Sequence, residues 1–415
     1  DLIRNREGHA ERASGGVEQE VDRLERSLRG GFSGLAVGEA IPGGVAGAQI
    51  AAISEGEARL RRCLDQLAEE DPERARQLRG APVRLDELRE RLPEDETLVE
   101  FYLSADELFT FVVTRTDLRL VRQTVEHDRL RRLMSRLRFH LDRSDAAVDD
   151  AALQSANDVL ADLGAYLLRG VRDRLETSRV VIVPHGMLHG VPFHALMHEG
   201  RPLIEDREVL VSPSAAIYLH CLARPRDPHD GALFLGVQDE RAPNAIEEVE
   251  TLAALVPGAT CRVGDAATSA VLQREGRRAR LVHLAASTEY RHDDPMQSRI
   301  RLADGWLTIP RLYDLELSPQ LLVLSEGASG RVAVTQGGDL FGLVRGFLHA
   351  GVPSLLTSLW EVSDERTRDY MQHFYRALAG GSGSASAAHR RAALDIRARD
   401  AHPYYWAPFV LTGRA

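Results

Sequence analysis

Two short apolar runs dominate the hydrophobic pattern, Leu281-Val282-His283-Leu284-Ala285-Ala286-Ser287 and Leu321-Leu322-Val323-Leu324-Ser325-Glu326-Gly327. Each stops at small or polar residues. Such runs predict strands of a parallel sheet covered by helices on both faces. Functional groups in open sheets of this kind collect just past the carboxyl ends of the strands. Here those ends are Ala286-Ser287-Thr288 and Glu326-Gly327-Ala328-Ser329-Gly330. The 288–320 stretch between the runs is long enough for the crossover that parallel pairing needs, so 281–286 and 321–326 are expected to be parallel neighbours.

The N-terminal part reads differently. Val17, Val21, Leu24 and Leu28 recur at helical spacing, and Gly30-Gly31 ends that pattern. A Gly- and Ala-rich linker follows over 30–48. An amphipathic helix is predicted from Ala48 to Glu70, with Ile53, Leu60, Leu64 and Leu67 on one face. Asp71-Pro72 breaks it, and Leu85, Leu88 and Leu92 predict one further helical stretch before Pro93. From Glu94 the period changes. Thr97–Leu103, Leu108–Thr114 and Leu118–Gln123 are β-rich runs with turn-like separators, which predicts an antiparallel meander. Helices are expected over 127–142 and 147–176, and a buried strand at Val180–Val183. Further strands are predicted at Glu208–Pro213, Ala232–Val237 and Val352–Trp360, and further helices near Asn244–Val256 and Leu340–Ala350.

Composition narrows the class. The chain has 415 residues, 44% hydrophobic and 27% charged, as in ordinary globular proteins. A net charge of -10 gives no electrostatic reason to expect nucleic acid as a partner. Cys63, Cys221 and Cys261 are scattered without metal-ligand spacing, which fits a reducing cytoplasm. No apolar run is long enough to span a membrane and none reads as a signal peptide, so a cytoplasmic location is expected. The chain begins at Asp1 rather than Met, which suggests a trimmed start.

Several ordered motifs resemble the CHAT domain, a caspase-like (clan CD) module found mostly in bacteria and often downstream of TPR arrays. Pro184-His185-Gly186-Met187-Leu188-His189-Gly190-Val191-Pro192-Phe193 is similar to the end of that family's first core strand. Pro295-Met296-Gln297-Ser298, Asp304-Gly305-Trp306-Leu307-Thr308, Trp360-Glu361-Val362-Ser363-Asp364 and His402–Phe409, the closing strand, match in order. The resemblance covers roughly residues 95–415. It implies a caspase-like three-layer α/β sandwich with a mostly parallel sheet, carried by residues 95–415, with residues 1–94 as a helical extension. No 34-residue self-similarity marks a TPR array within the chain, and the family habit leaves room for one upstream of Asp1.

The family's catalytic pair is a His closing one strand and a Cys closing the other. Carried over by position, the base slot holds Ser287 and the nucleophile slot holds Gly327. A clan CD protease needs a thiolate and an imidazole to activate it. Gly327 has no side chain, and the Ser287 hydroxyl has no useful acidity near neutrality. The expectation is a catalytically inactive module acting through a protein or peptide partner, without nucleic acid, membrane, metal or cofactor. Self-association or a complex with an active effector stays open. The rival reading is an active cysteine protease or hydrolase with a displaced dyad. His283, Ser325, Glu326 and Asp364 are the candidates for lining the former cleft. His283 and Ser287 share a strand face about 13 Å apart at about 3.3 Å per residue, too far to form a local dyad. His185, His189 and His194 follow no strong zinc pattern. Cys221 and Cys261 read as small buried residues. Ser363 is a candidate N-cap for the helix that begins with Asp364 and Glu365.

Overall fold

Alternate residues of the Ala279–Ala286 strand enter two different cores. Leu281 and Ala285 pack into one apolar cluster, and Val282, Leu284 and Ala286 into another. Successive side chains of a strand point to opposite faces, so this run is buried on both sides, as its unbroken apolar character requires. Each fully buried aliphatic side chain contributes about 1.5–3 kcal/mol. The computed structural model describes residues 83–415 apart from residues 105, 142–148, 226–230, 291–297, 326–332, 335–339 and 382, together with Arg59 and Arg62. The helices expected between residues 17 and 70, the linker over 30–48, and both Glu326 and Gly327 lie outside the described residues.

The strands of the main sheet are β1 (Glu96–Leu103), β2 (Glu107–Val113), β3 (Leu118–Thr124), β4 (Arg179–Val183), β5 (Glu208–Val211), β6 (Gly231–Val237), β7 (Ala259–Val263) and β8 (Ala279–Ala286). A hairpin, β9 (Arg299–Leu302) and β10 (Gly305–Thr308), stands apart from it. Then come β11 (Leu321–Leu324), β12 (Ser354–Ser358) and β13 (Phe409–Gly413). The eleven-stranded sheet runs β3-β2-β1-β4-β5-β13-β12-β11-β8-β6-β7. It is parallel except for the β1–β2–β3 meander and the β12–β13 pair. Leu281 to Leu284 pair in parallel with Leu321 to Leu324, one for one, as the two apolar runs predict.

The described helices of eight or more residues, together with the first short one, are α1 (Leu85–Arg91), α2 (His127–Leu141), α3 (Asp150–Leu167), α4 (Ala215–Ala223), α5 (Ala245–Ala253), α6 (Ser269–Gly276), α7 (Leu343–Ala350), α8 (Asp364–Ala379) and α9 (Ala385–Arg397). Tyr370, Phe374 and Tyr375 of α8 and Val249 and Leu252 of α5 cover one face of the sheet. Leu272 of α6 and Phe347 of α7 cover the other. Helices on both faces of a mostly parallel sheet make the three-layer α/β sandwich.

Three local expectations are revised. The helix expected over 147–176 stops at Leu167, and Arg172–Arg174 forms a separate short turn. The closing motif begins as a helical turn, Pro403–Trp406, and the strand starts only at Phe409. Pro403 at the first helical position explains that start, because its missing N–H costs nothing there. Ser363 occupies the N-cap position of α8, yet its side chain makes no capping bond into the helix. At Gly413, which closes β13 with φ +98, an added Cβ would lie 2.1 Å from the Pro353 carbonyl oxygen, so only glycine fits.

Although α1 precedes the first strand, it is sewn to the body. Leu88 and Leu92 belong to the main core. Arg91 donates to the Leu219 carbonyl at 3.0 Å, and Arg89 donates to the carbonyls of Arg115 and Thr116 in the β2–β3 turn. A chain starting at residue 81 should therefore still fold and unfold cooperatively. One starting at residue 95 should lose about 3–6 kcal/mol, since two leucines of this burial are worth about 1.5–3 kcal/mol each. Urea unfolding of the two fragments checks this, and equal midpoints would place α1 outside the folding unit.

Candidate functional site

The carboxyl end of β8 delivers Ser287 to the sheet edge, where its backbone carbonyl accepts from the Arg301 amide at 2.8 Å. That bond anchors the β9–β10 hairpin, because Thr288 and Glu289 pair with Ile300 and Arg299. The neighbouring strand β6 ends at Val237, and Asp239 follows two residues later. The Ser287 Oγ donates to Asp239 Oδ1 at 2.5 Å. The same oxygen accepts the backbone amides of Arg241 at 2.9 Å and Ala242 at 3.0 Å. Burial pushes the Asp239 carboxyl upward, but the Ser287 bond and the two amides outweigh it and hold it below the usual range. The Ser287 hydroxyl is thus committed to a carboxylate.

The loop that begins at Asp239 is also tied at its far end. Asp364, the first residue of α8, accepts from the Asn244 amide at 3.2 Å and from Asn244 Nδ2 at 3.0 Å. One turn on, Arg368 donates to Glu247 at 2.6 Å. Asp364 therefore spends its carboxylate on joining the start of α8 to the start of α5. Asp239 went unnoticed in the sequence reading. The rule that singled out Ser287, attention to residues past strand carboxyl ends, would have found it had β6 been placed beside β8.

His283 lies four residues before Ser287 and is fully buried, at 0% exposure. Its Nδ1 meets the Tyr375 hydroxyl at 2.9 Å, and its Nε2 meets Glu248 Oε1 at 3.2 Å. The ring stacks on Phe234 with centroids 5.3 Å apart. Both ring nitrogens are occupied, and the residue fastens β8 to α5 and α8 beneath the sheet edge. Ser325 is buried too, with its amide donating to the Leu284 carbonyl at 3.2 Å, which continues the β8–β11 ladder.

Other matched motifs resolve into structural joints. Asp304 accepts from the Ser269 amide at 3.0 Å and from its hydroxyl, fixing the start of α6 to the β9–β10 turn. Trp360 Nε1 donates to the Tyr404 carbonyl at 3.2 Å. Of the three clustered histidines, His185 accepts the Leu103 amide, His194 is buried against His389 and Trp406, and His189 is pushed down to about 4 by burial. Among the described residues, no three His, Cys, Asp or Glu side chains are grouped to hold a metal ion, and no helix is long and apolar enough to cross a membrane. Burial raises the thiol of Cys221 to about 12, and that of half-buried Cys261 is raised as well, so neither is poised as a thiolate.

Comparison with known proteins gives a family and a fold. The mouse and human proteins named tetratricopeptide repeat protein 28 are each 36% identical to this chain, over 108 and 109 residues. Those alignments cover 26% of this chain and 4% of each relative, so the chain spans only a small part of their length. A solved Saccharomyces cerevisiae separase–securin complex superposes with a TM-score of 0.53 at 8% identity, covering 96% of this chain and 40% of that chain, which speaks for the fold alone. The CHAT domain profile matches residues 149–414, which include both sheet-edge strands, the Asp239 loop and α8. This chain belongs to the CHAT domain family.

Proposed function

We propose that this CHAT module no longer cleaves peptide bonds and acts by binding a protein partner. One observation carries the reading: the position that would hold the general base is a serine whose hydroxyl is donated to Asp239. Among the described residues no histidine bonds to either member of that pair. His283, the imidazole nearest in sequence, is enclosed and has both nitrogens engaged. The nucleophile slot falls on Gly327 by sequence, and glycine offers no group to attack a carbonyl. The relatives named for tetratricopeptide repeats support a protein or peptide as partner, because such repeats stack into extended binding surfaces. In this reading residues 1–94 are a helical extension whose last helix, α1, packs on the body, and the sheet edge at Ser287, Ser325 and Asp364, with Glu326 next in sequence, is the remnant of a peptide cleft.

Purified protein should leave itself, casein and a peptide library uncut, and a thiol-reactive peptide electrophile should not label it faster than it labels a free thiol of ordinary acidity. Cleavage that disappears in Cys261→Ala or Cys221→Ala would sink the proposal and establish a displaced dyad.

A further inference from the structure

The meander ends the main sheet with a largely apolar face that is partly open: Leu98 and Val113 are buried in it, and Arg122 lies over the Phe109 ring at one end. Register places Glu100, Phe111 and Leu120 opposite one another on this face, with Tyr102 and Leu118 in the flanking rows. Leu120 is 54% exposed, Tyr102 51% and Leu118 38%. The opposite face of the same strands is covered: Gln123 donates to the Tyr166 carbonyl of α3, and Val121 packs beside Gly170. Contiguous exposed apolar surface of this kind marks an interaction site. Glu100 sits among these apolar side chains, where burial pushes its carboxyl upward, and it makes no hydrogen bond or ion pair among the described residues.

We propose that the amphipathic segment 48–70 of this chain docks as a helix on the open face of the meander. The chain begins near it. Arg89 of α1 is bonded to the β2–β3 turn, immediately before Leu118, so the chain preceding Val83 starts within one short helix of the end of this face. Residues 71–82 bridge the gap, and twelve residues reach at most about 40 Å. The segment spans about 35 Å as a helix, against about 23 Å for the seven residues of β3, so one helix covers the strands end to end. Its apolar stripe, Ile53, Leu60, Leu64 and Leu67, supplies the surface that Leu118 and Leu120 lack. Arg59 and Arg62 are helical and exposed, and by helical register both fall off that stripe. Arg61 falls on its flank, where a cation meets the unpaired carboxyl of Glu100.

The test is disulfide trapping in the full chain, in a Cys63→Ala/Cys261→Ala background that keeps only the buried Cys221. Leu120→Cys is combined in turn with Leu60→Cys, Leu64→Cys and Leu67→Cys and oxidised mildly. Leu120 is exposed, so its replacement leaves the core intact. An intramolecular crosslink should form in at least one pairing about ten-fold faster than with Phe139→Cys, an exposed site on α2 that shares only the tether. Equal rates at both sites would overturn the docking. Predominant Leu120→Cys dimers would overturn it in favour of a second copy on this face.

Discussion

Replacing His283 with alanine should destabilise the protein by about 3–5 kcal/mol, the cost of removing one partner from a buried charged or strongly polar pair. The ring occupies the space between β8, α5 and α8. Its loss leaves Glu248 Oε1 unbonded, and Glu248 Oε2 already has no hydrogen-bond partner among the described residues. The Tyr375 hydroxyl also loses its contact. A carboxyl group with neither oxygen satisfied, buried to this depth, must be desolvated without compensation. The double variant His283→Leu/Glu248→Leu should recover most of the loss, because apolar groups of similar volume remove the desolvation problem instead of creating it. Urea unfolding of the wild type, the single variants and the double variant measures the coupling. A single-variant loss below about 1 kcal/mol would show that the site relaxes or admits water.

Acidification should weaken the protein steeply between pH 6.5 and 4, and His389 should account for a large share. His389 and His194 are both buried, with ring centroids 5.5 Å apart in an edge-on arrangement. His389 Nδ1 pairs with the Tyr370 hydroxyl at 2.6 Å. Burial pushes His389 down to about 4 and His194 well below the ordinary imidazole value, to which the neighbouring His389 adds. Both rings therefore stay neutral in the folded protein while the unfolded chain takes up protons near pH 6.5. Stability from this source is full above that pH and is lost as pH falls toward 4. For His389 alone the gap amounts to roughly 3 kcal/mol, at about 1.4 kcal/mol per pH unit. Glu96 and Glu100 act in the opposite sense. Burial raises both carboxyls, so they favour the folded state as pH falls. Comparing His389→Gln with the wild type isolates the imidazole, and the variant should show a visibly flatter fall in urea midpoint between pH 7.5 and 5. An identical slope would remove His389 from the account.

How much of this was legible in the chain depends on the range over which each signal acts. The β8 and β11 runs could be read because a strand buried on both faces has to be apolar at every position, and that requirement is written locally. The meander was readable for the same reason, through period-two runs bounded by turn residues. The hairpin β9–β10 was present in the sequence as the Asp304-Gly305 turn, and its role became clear only when Asp304 was seen to fasten the start of α6. The closing strand was misplaced by several residues because Pro403-Tyr404-Tyr405-Trp406 is equally apolar as a strand or as a buried helical turn. Packing of Trp360 onto the Tyr404 carbonyl settled which.

The candidate site divides along the same line. That Ser287 stands at a strand's carboxyl end is legible in the sequence, because a run that stops at a polar residue is a local property. That Ser287 is held by Asp239, that Asp364 is spent on Asn244, and that His283 is locked between Tyr375 and Glu248 are contacts across 48, 120, 92 and 35 residues of chain. No periodicity encodes such pairings. They exist because the parallel order β11-β8-β6 brings these strands' carboxyl ends to one edge and because α5 and α8 pack side by side over β8. Sequence by itself therefore determined the family and the layered fold. The tertiary structure alone decided which neighbours satisfy Ser287, Asp364 and His283, since hydrogen-bond partners are chosen by proximity in space.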